Sequence, residues 1–536
     1  MTEVRAPFAP GSVGSRLSGL LQPNPEGYVL ARWVLLRGLA VVFFSAFYSY
    51  AYQVDGLIGP DGILPANAYL KLVHRYLGVP ACYFQVPTLF HWLGASTNAL
   101  NAIVTAGLAC SVLLVFNLAP RLTLALCTAF FLSLINVSQV FASYQSDGML
   151  LEAGLYGILL APGGWRPGLG ATSPPSRLAR WLLVWEWFRI YFESGVVKLA
   201  SGDPEWRHLT ALDHYYENGP LPTVIGWYAQ HLPHAVHVVT AGATLAMELG
   251  LVWLAFLPRR FRLMCAIAAT AFQVGIILTA NYAFLNYLVL LLGVLLVDDR
   301  SLRRWLSRWA RSHRRFLRAH FRKLQLSLCP RTAKIDTLPW VWAKLGGFGV
   351  LWYATLLQFP GIDRADLPAI LTWPVSVLEP FRFANGYGLF AVMTRKRFEI
   401  EFQGSLDGST YVPYPFRYKP QDPSVAPGIY APYQPRFEWN LWFASLGGIR
   451  QNPWVLRTAV RLLEAKPDVL RLFASDPFHG GRPKSIRTVI YRYWFSSLET
   501  LRRRGVYWER QELGSYAPTL TWKRDGTIGV LSDLRR

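Results

Sequence analysis

Cysteine and charge are both scarce in this chain: five cysteines among 536 residues, and only 16% Asp, Glu, Lys and Arg. Cys82, Cys110, Cys127, Cys265 and Cys329 are scattered without a C-x-x-C pair, which excludes a disulfide-built scaffold and a dithiol redox centre. A Gly-rich phosphate loop with its Lys-Ser/Thr, an H-E-x-x-H and a G-x-S-x-G are all missing, so the usual nucleotide-binding, zinc-protease and serine-hydrolase signatures are absent. Pro7, Pro10, Pro23 and Pro25 interrupt residues 1–30, and no cleavable leader is expected there. No internal repeat stands out, which disfavours a transporter built from two related halves. A soluble domain carries about 25% charged residues, so this chain has too few to clothe a globular surface.

What is present is apolar and basic. Hydrophobic residues make up 52%, aromatics 15%, and the mean hydropathy is +0.23. The formal charge is nevertheless +22, from 54 Lys and Arg against 32 Asp and Glu. That combination suits a polytopic membrane protein whose basic residues crowd its cytoplasmic loops.

Apolar runs at 33–52, 98–118, 121–141, 148–161, 181–199, 234–257, 262–280, 284–298 and 340–360 predict a multispan α-helical membrane domain over 1–360, with about nine spans. The run at 148–161 carries Glu152 and is short enough to be re-entrant. With the N-terminus inside, the inner segments carry 22 Lys/Arg and the outer loops three: Lys71, Arg75 and Arg207. That bias places residues 361–536 outside, in a lumen or periplasm. Residues 300–335 interleave basic residues with Trp305, Trp309, Phe316 and Phe321, the pattern of an amphipathic helix on an anionic cytoplasmic leaflet. The neighbouring spans favour that lipid reading over a nucleic-acid patch.

After residue 360 the composition shifts to 25 basic and 16 acidic residues with many Pro and aromatics. Period-two alternation over 398–402, a turn at 406–409 and a second run at 411–418 predict a hairpin. Residues 453–473 predict a helix broken at Pro467, and 485–495 another strand. The expectation is a mixed α/β, sheet-dominated, β-sandwich-like domain.

Ionisable groups inside spans are costly and tend to be functional or paired. Glu186, Arg189 and Glu193 share one helical face, and Lys198 sits at the outer end on another. Asp147, Glu152 and Glu248 add further intramembrane carboxylates. One reading is a polar site opening outward, with Lys198 as base and Glu193 and Asp147 assisting. The other is a Glu–Arg–Glu pairing that locks helices together, with Lys198 reaching the interface. His231, His234 and His237 are spaced by three, but Pro233 interrupts the helix and no metal is expected there.

Several long stretches carry a family likeness. SYQSDGMLLEAG (143–154), FESGVVKLASGDPEWRHLTALDHYYENGPLPT (192–223), NGYGLFAVMTRKRFEIEFQGSLDGSTYVPYPFRYKP (385–420), APYQPRFEWNLWFASLG (431–447) and SDPF (475–478) resemble the lipase maturation factor family. The Ala/Arg/Leu-rich composition looks like that of a bacterial member. The resemblance implies a multispan domain plus an exposed C-terminal domain that contacts clients, which are dimeric lipases in the endoplasmic reticulum for animal members. More distantly, the segment from Phe192 to Leu199 followed by Trp206 is similar to the vitamin K-dependent γ-carboxylase superfamily, where a Lys in this context is the catalytic base.

The expected function is therefore an integral membrane folding or assembly factor for exported proteins, without cofactor or nucleic acid. Its client-facing residues would be Trp439, Trp442, Trp508 and Asp407, with core the competing reading for each tryptophan and an ordinary hairpin turn for Asp407. The alternative is a membrane enzyme using Lys198 on a quinol- or lipid-like ligand. Localisation would be the endoplasmic reticulum membrane in a eukaryote and the inner membrane in a bacterium.

Overall fold

A computed structural model describes residues 27–142, 144–304 and 338–531. Each expected apolar run coincides with a helix: α1 (Val29–Ile58), α3 (Thr97–Val115), α4 (Pro120–Val137), α5 (Gln145–Leu160), α6 (Arg177–Ala200), α7 (His234–Phe256), α8 (Arg259–Thr279), α9 (Leu285–Leu296) and α10 (Leu338–Leu356). Between α1 and α3 lies the amphipathic α2 (Ala66–Leu77). Among the described residues five helices, α1, α3, α4, α7 and α8, are long and apolar enough to cross a membrane. Most of the expected basic segment at 300–335 falls outside the described residues.

Local chemistry sets the helix starts. Ser96 and Ser176 cap α3 and α6 by accepting from Ala99 N and Ala179 N. The start of α1 has a distant cap: Asp299 accepts from Val29 N at 2.8 Å and Leu30 N at 3.0 Å, placing a carboxylate on the positive end of the helix. Arg32, buried one turn in, donates to the carbonyls of Ser173, Leu169 and Gly170. Helices α1 and α3 meet closely because Gly107 faces the Phe47 ring, where a Cβ would stand 2.3 Å from a ring carbon.

The C-terminal region holds one antiparallel sheet of order β2-β1-β3-β4-β5, formed by β1 (Arg397–Ser405), β2 (Val412–Pro413), β3 (Ser485–Phe495), β4 (Trp508–Trp522) and β5 (Ile528–Val530). The expected hairpin is present, but its second strand is two residues long, since Pro413 and Pro415 have no N–H to donate. The broken helix is α12 (Pro453–Leu463) followed by a turn at Pro467–Leu470. The β-sandwich expectation is corrected: the described residues hold one sheet. α11 (Arg436–Ser445) and α12 pack against it. Val489, Tyr491, Tyr493, Phe495 and Trp508 join Trp206, Leu212, Tyr216 and Trp227 in a further buried cluster. Loops between the membrane helices thus provide the layer that a second sheet would have supplied.

Gly56 marks where the two regions touch. A Cβ there would stand 2.4 Å from the Asp468 carbonyl oxygen and 2.8 Å from Leu472. A backbone oxygen cannot swing aside, so Gly56→Ala is expected to destabilise by about 1–3 kcal/mol. Thermal unfolding of the detergent-solubilised chain reads this as a lowered midpoint. Gly275→Ala, whose Cβ would meet nothing within 4 Å, should leave the midpoint unchanged or raise it.

Candidate functional site

The charged residues singled out on α5, α6 and α7 form three buried assemblies, and each joins elements distant in sequence. In the first, Arg189 on α6 ion-pairs with Glu152 on α5 and lies 3.8 Å from Glu193. The 385–387 segment completes it. Asn385 donates to Glu152 through N at 3.0 Å and Nδ2 at 3.1 Å, and Tyr387 donates its hydroxyl to Glu152 at 2.9 Å and its N–H to Glu193 at 2.7 Å. The guanidinium lies over the Tyr387 ring and donates to the Asn385 carbonyl. Glu186 is buried beside this group, yet neither oxygen has a hydrogen-bond partner among the described residues.

The second assembly is Asp147 with Arg436. The guanidinium forks onto the carboxylate at 2.8 and 2.7 Å, donates to the Phe141 carbonyl and lies 4.4 Å from the Tyr50 ring centre. Such a bidentate pair is geometrically specific, and here it ties the first residues of α11 to those of α5. The third is Lys198 with Glu248: Nζ donates at 2.9 and 2.8 Å and sits 5.1 Å from the Trp206 ring centre. Glu248 lies in a π-helical turn at Ala246–Gly250. Gly195 allows the approach, because a Cβ there would stand 2.9 Å from Cβ of Glu248.

Lys198 and Glu248 line a cavity of about 840 Å³ between the membrane helices and the C-terminal region. Its wall is mostly apolar, with Phe272, Tyr282, Trp439 and Trp442 among the aromatics. A polar relay runs along it: Asn286 Nδ2 donates to Gln273 Oε1 at 2.7 Å, and Gln273 Nε2 donates to the Tyr191 hydroxyl at 2.9 Å. The buried indole nitrogens of Trp439 and Trp442 have no hydrogen-bond partner among the described residues. A large apolar pocket with a few convergent polar groups is the ordinary form of a small-molecule site.

Several expected roles change. Lys198, Glu193 and Asp147 do not converge; each is held in a separate assembly. Lys198 does not reach out to the interface but is buried against Glu248. Trp439, Trp442 and Trp508 are buried rather than offered to clients. Trp508 packs on Phe495 with ring centres 4.5 Å apart. Asp407 forms the hairpin turn, where N–H groups of Ser409 and Thr410 with the Ser405 hydroxyl hold its carboxyl well below the usual range. His231 and His237 contact backbone carbonyls and His234 contacts Asp213, so the triplet does not gather.

Sequence reasoning missed Arg436, Asn385 and Tyr387, although all three lie within the long motifs 385–420 and 431–447. Beside Arg436, Glu438 is buried and its carboxyl is pushed up to about 7 by burial, against the N–H groups of Lys419, Arg417 and Tyr418, which favour the charged form.

Comparison with known proteins follows the same division. The lipase maturation factor transmembrane domain matches residues 30–304, and the lipase maturation factor C-terminal domain matches residues 383–518. Lipase maturation factor 2 of Gallus gallus is 33% identical, covering 91% of this chain and 81% of its own length. The Homo sapiens protein of that name is 32% identical, covering 92% and 83%. Lipase maturation factor 1 of Bos taurus is 32% identical, covering 96% and 93%. No solved structure matches significantly. With both domains matched in order and relatives spanned over most of their length, the chain is an integral membrane protein that belongs to the lipase maturation factor family.

Proposed function

We propose that this chain is a membrane-embedded maturation factor for exported proteins, with lipases as its client class. The observation that carries the reading is the extent of likeness: proteins named lipase maturation factors match along more than nine-tenths of the chain, through both regions. In this reading the helices from α1 to α10 form about nine spans with the N-terminus inside. The excess of 22 inner Lys/Arg over three in the outer loops supports that orientation. The C-terminal region then faces the lumen or periplasm, where exported clients fold. The membrane is the endoplasmic reticulum in a eukaryote and the inner membrane in a bacterium.

The test expresses an exported lipase from the same genome with and without this chain and compares lipase activity per unit of secreted antigen. A several-fold gain with the chain is expected. Equal specific activity, together with failure to crosslink the lipase in native membranes, would overturn the proposal.

The cavity favours a second reading, a membrane enzyme acting on a lipid-like ligand through Lys198. Its ammonium already donates to both Glu248 oxygens, so a base role would first require that pair to open.

A further inference from the structure

Far from the Lys198 cavity in sequence, the segment joining α1 to α3 brings together His74, Cys82 and His91. One ligand atom from each lies within 4.8 Å of the other two. His74 Nε2 stands 2.8 Å from His91 Nδ1. On its other side His91 places Nε2 2.8 Å from the Val86 carbonyl oxygen. A carbonyl can only accept, so Nε2 carries the proton and Nδ1 presents its lone pair toward His74. This is the outer-shell bond that orients imidazole ligands in metal sites. Cys82 is buried and free of any disulfide.

The surroundings hold the three residues in place. Asn136 on α4 donates to the Pro87 carbonyl at 2.8 Å, Thr88 donates to the Ser133 carbonyl at 3.1 Å, and Leu89 N donates to Ser133 Oγ. Tyr83 stacks on Trp92 and stands edge-on to His91, walling one side. The site is thus built on a short segment braced against a membrane helix.

We propose that His74, Cys82 and His91 form a three-ligand site for a divalent ion of the zinc class, with a fourth coordination position open. Two imidazoles and a thiolate suit a borderline-soft ion and disfavour magnesium and calcium, which take oxygen ligands. Tetrahedral bonds to zinc of ~2.0–2.3 Å place ligand atoms ~3.3–3.6 Å apart. The two histidines therefore open by about half an ångström on loading, within the reach of side-chain rotation. Zinc displaces the Cys82 thiol proton to solvent, the proton held between the two rings on His74 Nε2 moves to His74 Nδ1, and both imidazoles then give a lone pair to the ion.

The experiment uses the full chain in detergent, carrying a tag without histidine and stripped with a chelator. Zinc is titrated against a chromophoric competitor, and Co²⁺ serves as the spectroscopic probe. About one equivalent should bind, with a thiolate-to-cobalt band and tetrahedral d–d absorption. Cys82→Ser should abolish the thiolate band, and His74→Ala or His91→Ala should each lower zinc affinity at least about tenfold. Cys110→Ser, on α3, should change neither readout. The metal-free thermal midpoint reports whether each variant is folded, and any one folded ligand variant suffices. Binding weaker than micromolar, or a thiolate band that survives Cys82→Ser, would show that the histidines share only a proton.

Discussion

Arg436→Ala is expected to cost about 3–5 kcal/mol, because it strands the buried Asp147 carboxylate, whose ion pair among the described residues is with Arg436. The guanidinium also closes contacts to the Phe141 carbonyl and the Tyr50 ring, so the loss falls on the seam between α5 and α11. Thermal unfolding of the solubilised chain and the yield of monodisperse protein read it directly. Arg436→Lys should recover little, since an ammonium cannot fork onto both oxygens. The double replacement Arg436→Met with Asp147→Leu removes both charges together and should recover most of the loss. An Arg436→Ala midpoint equal to wild type would show that the pair holds nothing together.

Lys198 gives the second large effect. Lys198→Ala leaves Glu248 buried and unpaired, so a loss of about 3–5 kcal/mol is expected whatever the function. Lys198→Met with Glu248→Gln removes the ion pair without leaving a buried charge, and is the informative variant. As a maturation factor, the folded double variant should keep lipase maturation within about twofold of wild type. A folded double variant that loses maturation more than about tenfold would shift the assignment to chemistry at Lys198. The thermal midpoint is measured on the same preparation, so misfolding and loss of function are read apart.

The helices were legible in the sequence because their cause is local. A run of about twenty apolar residues satisfies its backbone only as a helix in lipid, and every such run became one. Strand β3 was equally legible over 485–495 from its alternation. The hairpin at Asp407 was visible too, but not that Pro413 and Pro415 would end its partner strand after two residues.

The site was only half legible. The 3.6-residue period places Glu186, Arg189 and Glu193 on one face, yet gives no sign that Glu152 and the 385–387 segment complete that group while Glu186 finds no hydrogen-bond partner among the described residues. Arg436 reads as one basic residue among 25 in a polar region, and its partner lies 289 positions away. Trp439, Trp442 and Trp508 read both as core and as client-facing surface, because composition carries no information about which face is covered. The covering elements here are loops and helices of the membrane region.

By itself, then, the sequence determined that the chain is a membrane protein of the lipase maturation factor family, with helices first and a sheet after. Apolar length, charge bias and long motifs suffice for that, since each is a property of contiguous residues. Only the tertiary structure decided which charges are paired, that Lys198 faces Glu248 inside a cavity, and which loops of the first region pack against the C-terminal sheet. The reason is energetic: a buried charge must find a partner wherever the fold brings one. Here the partners come from distant helices and loops, whose proximity no local pattern encodes.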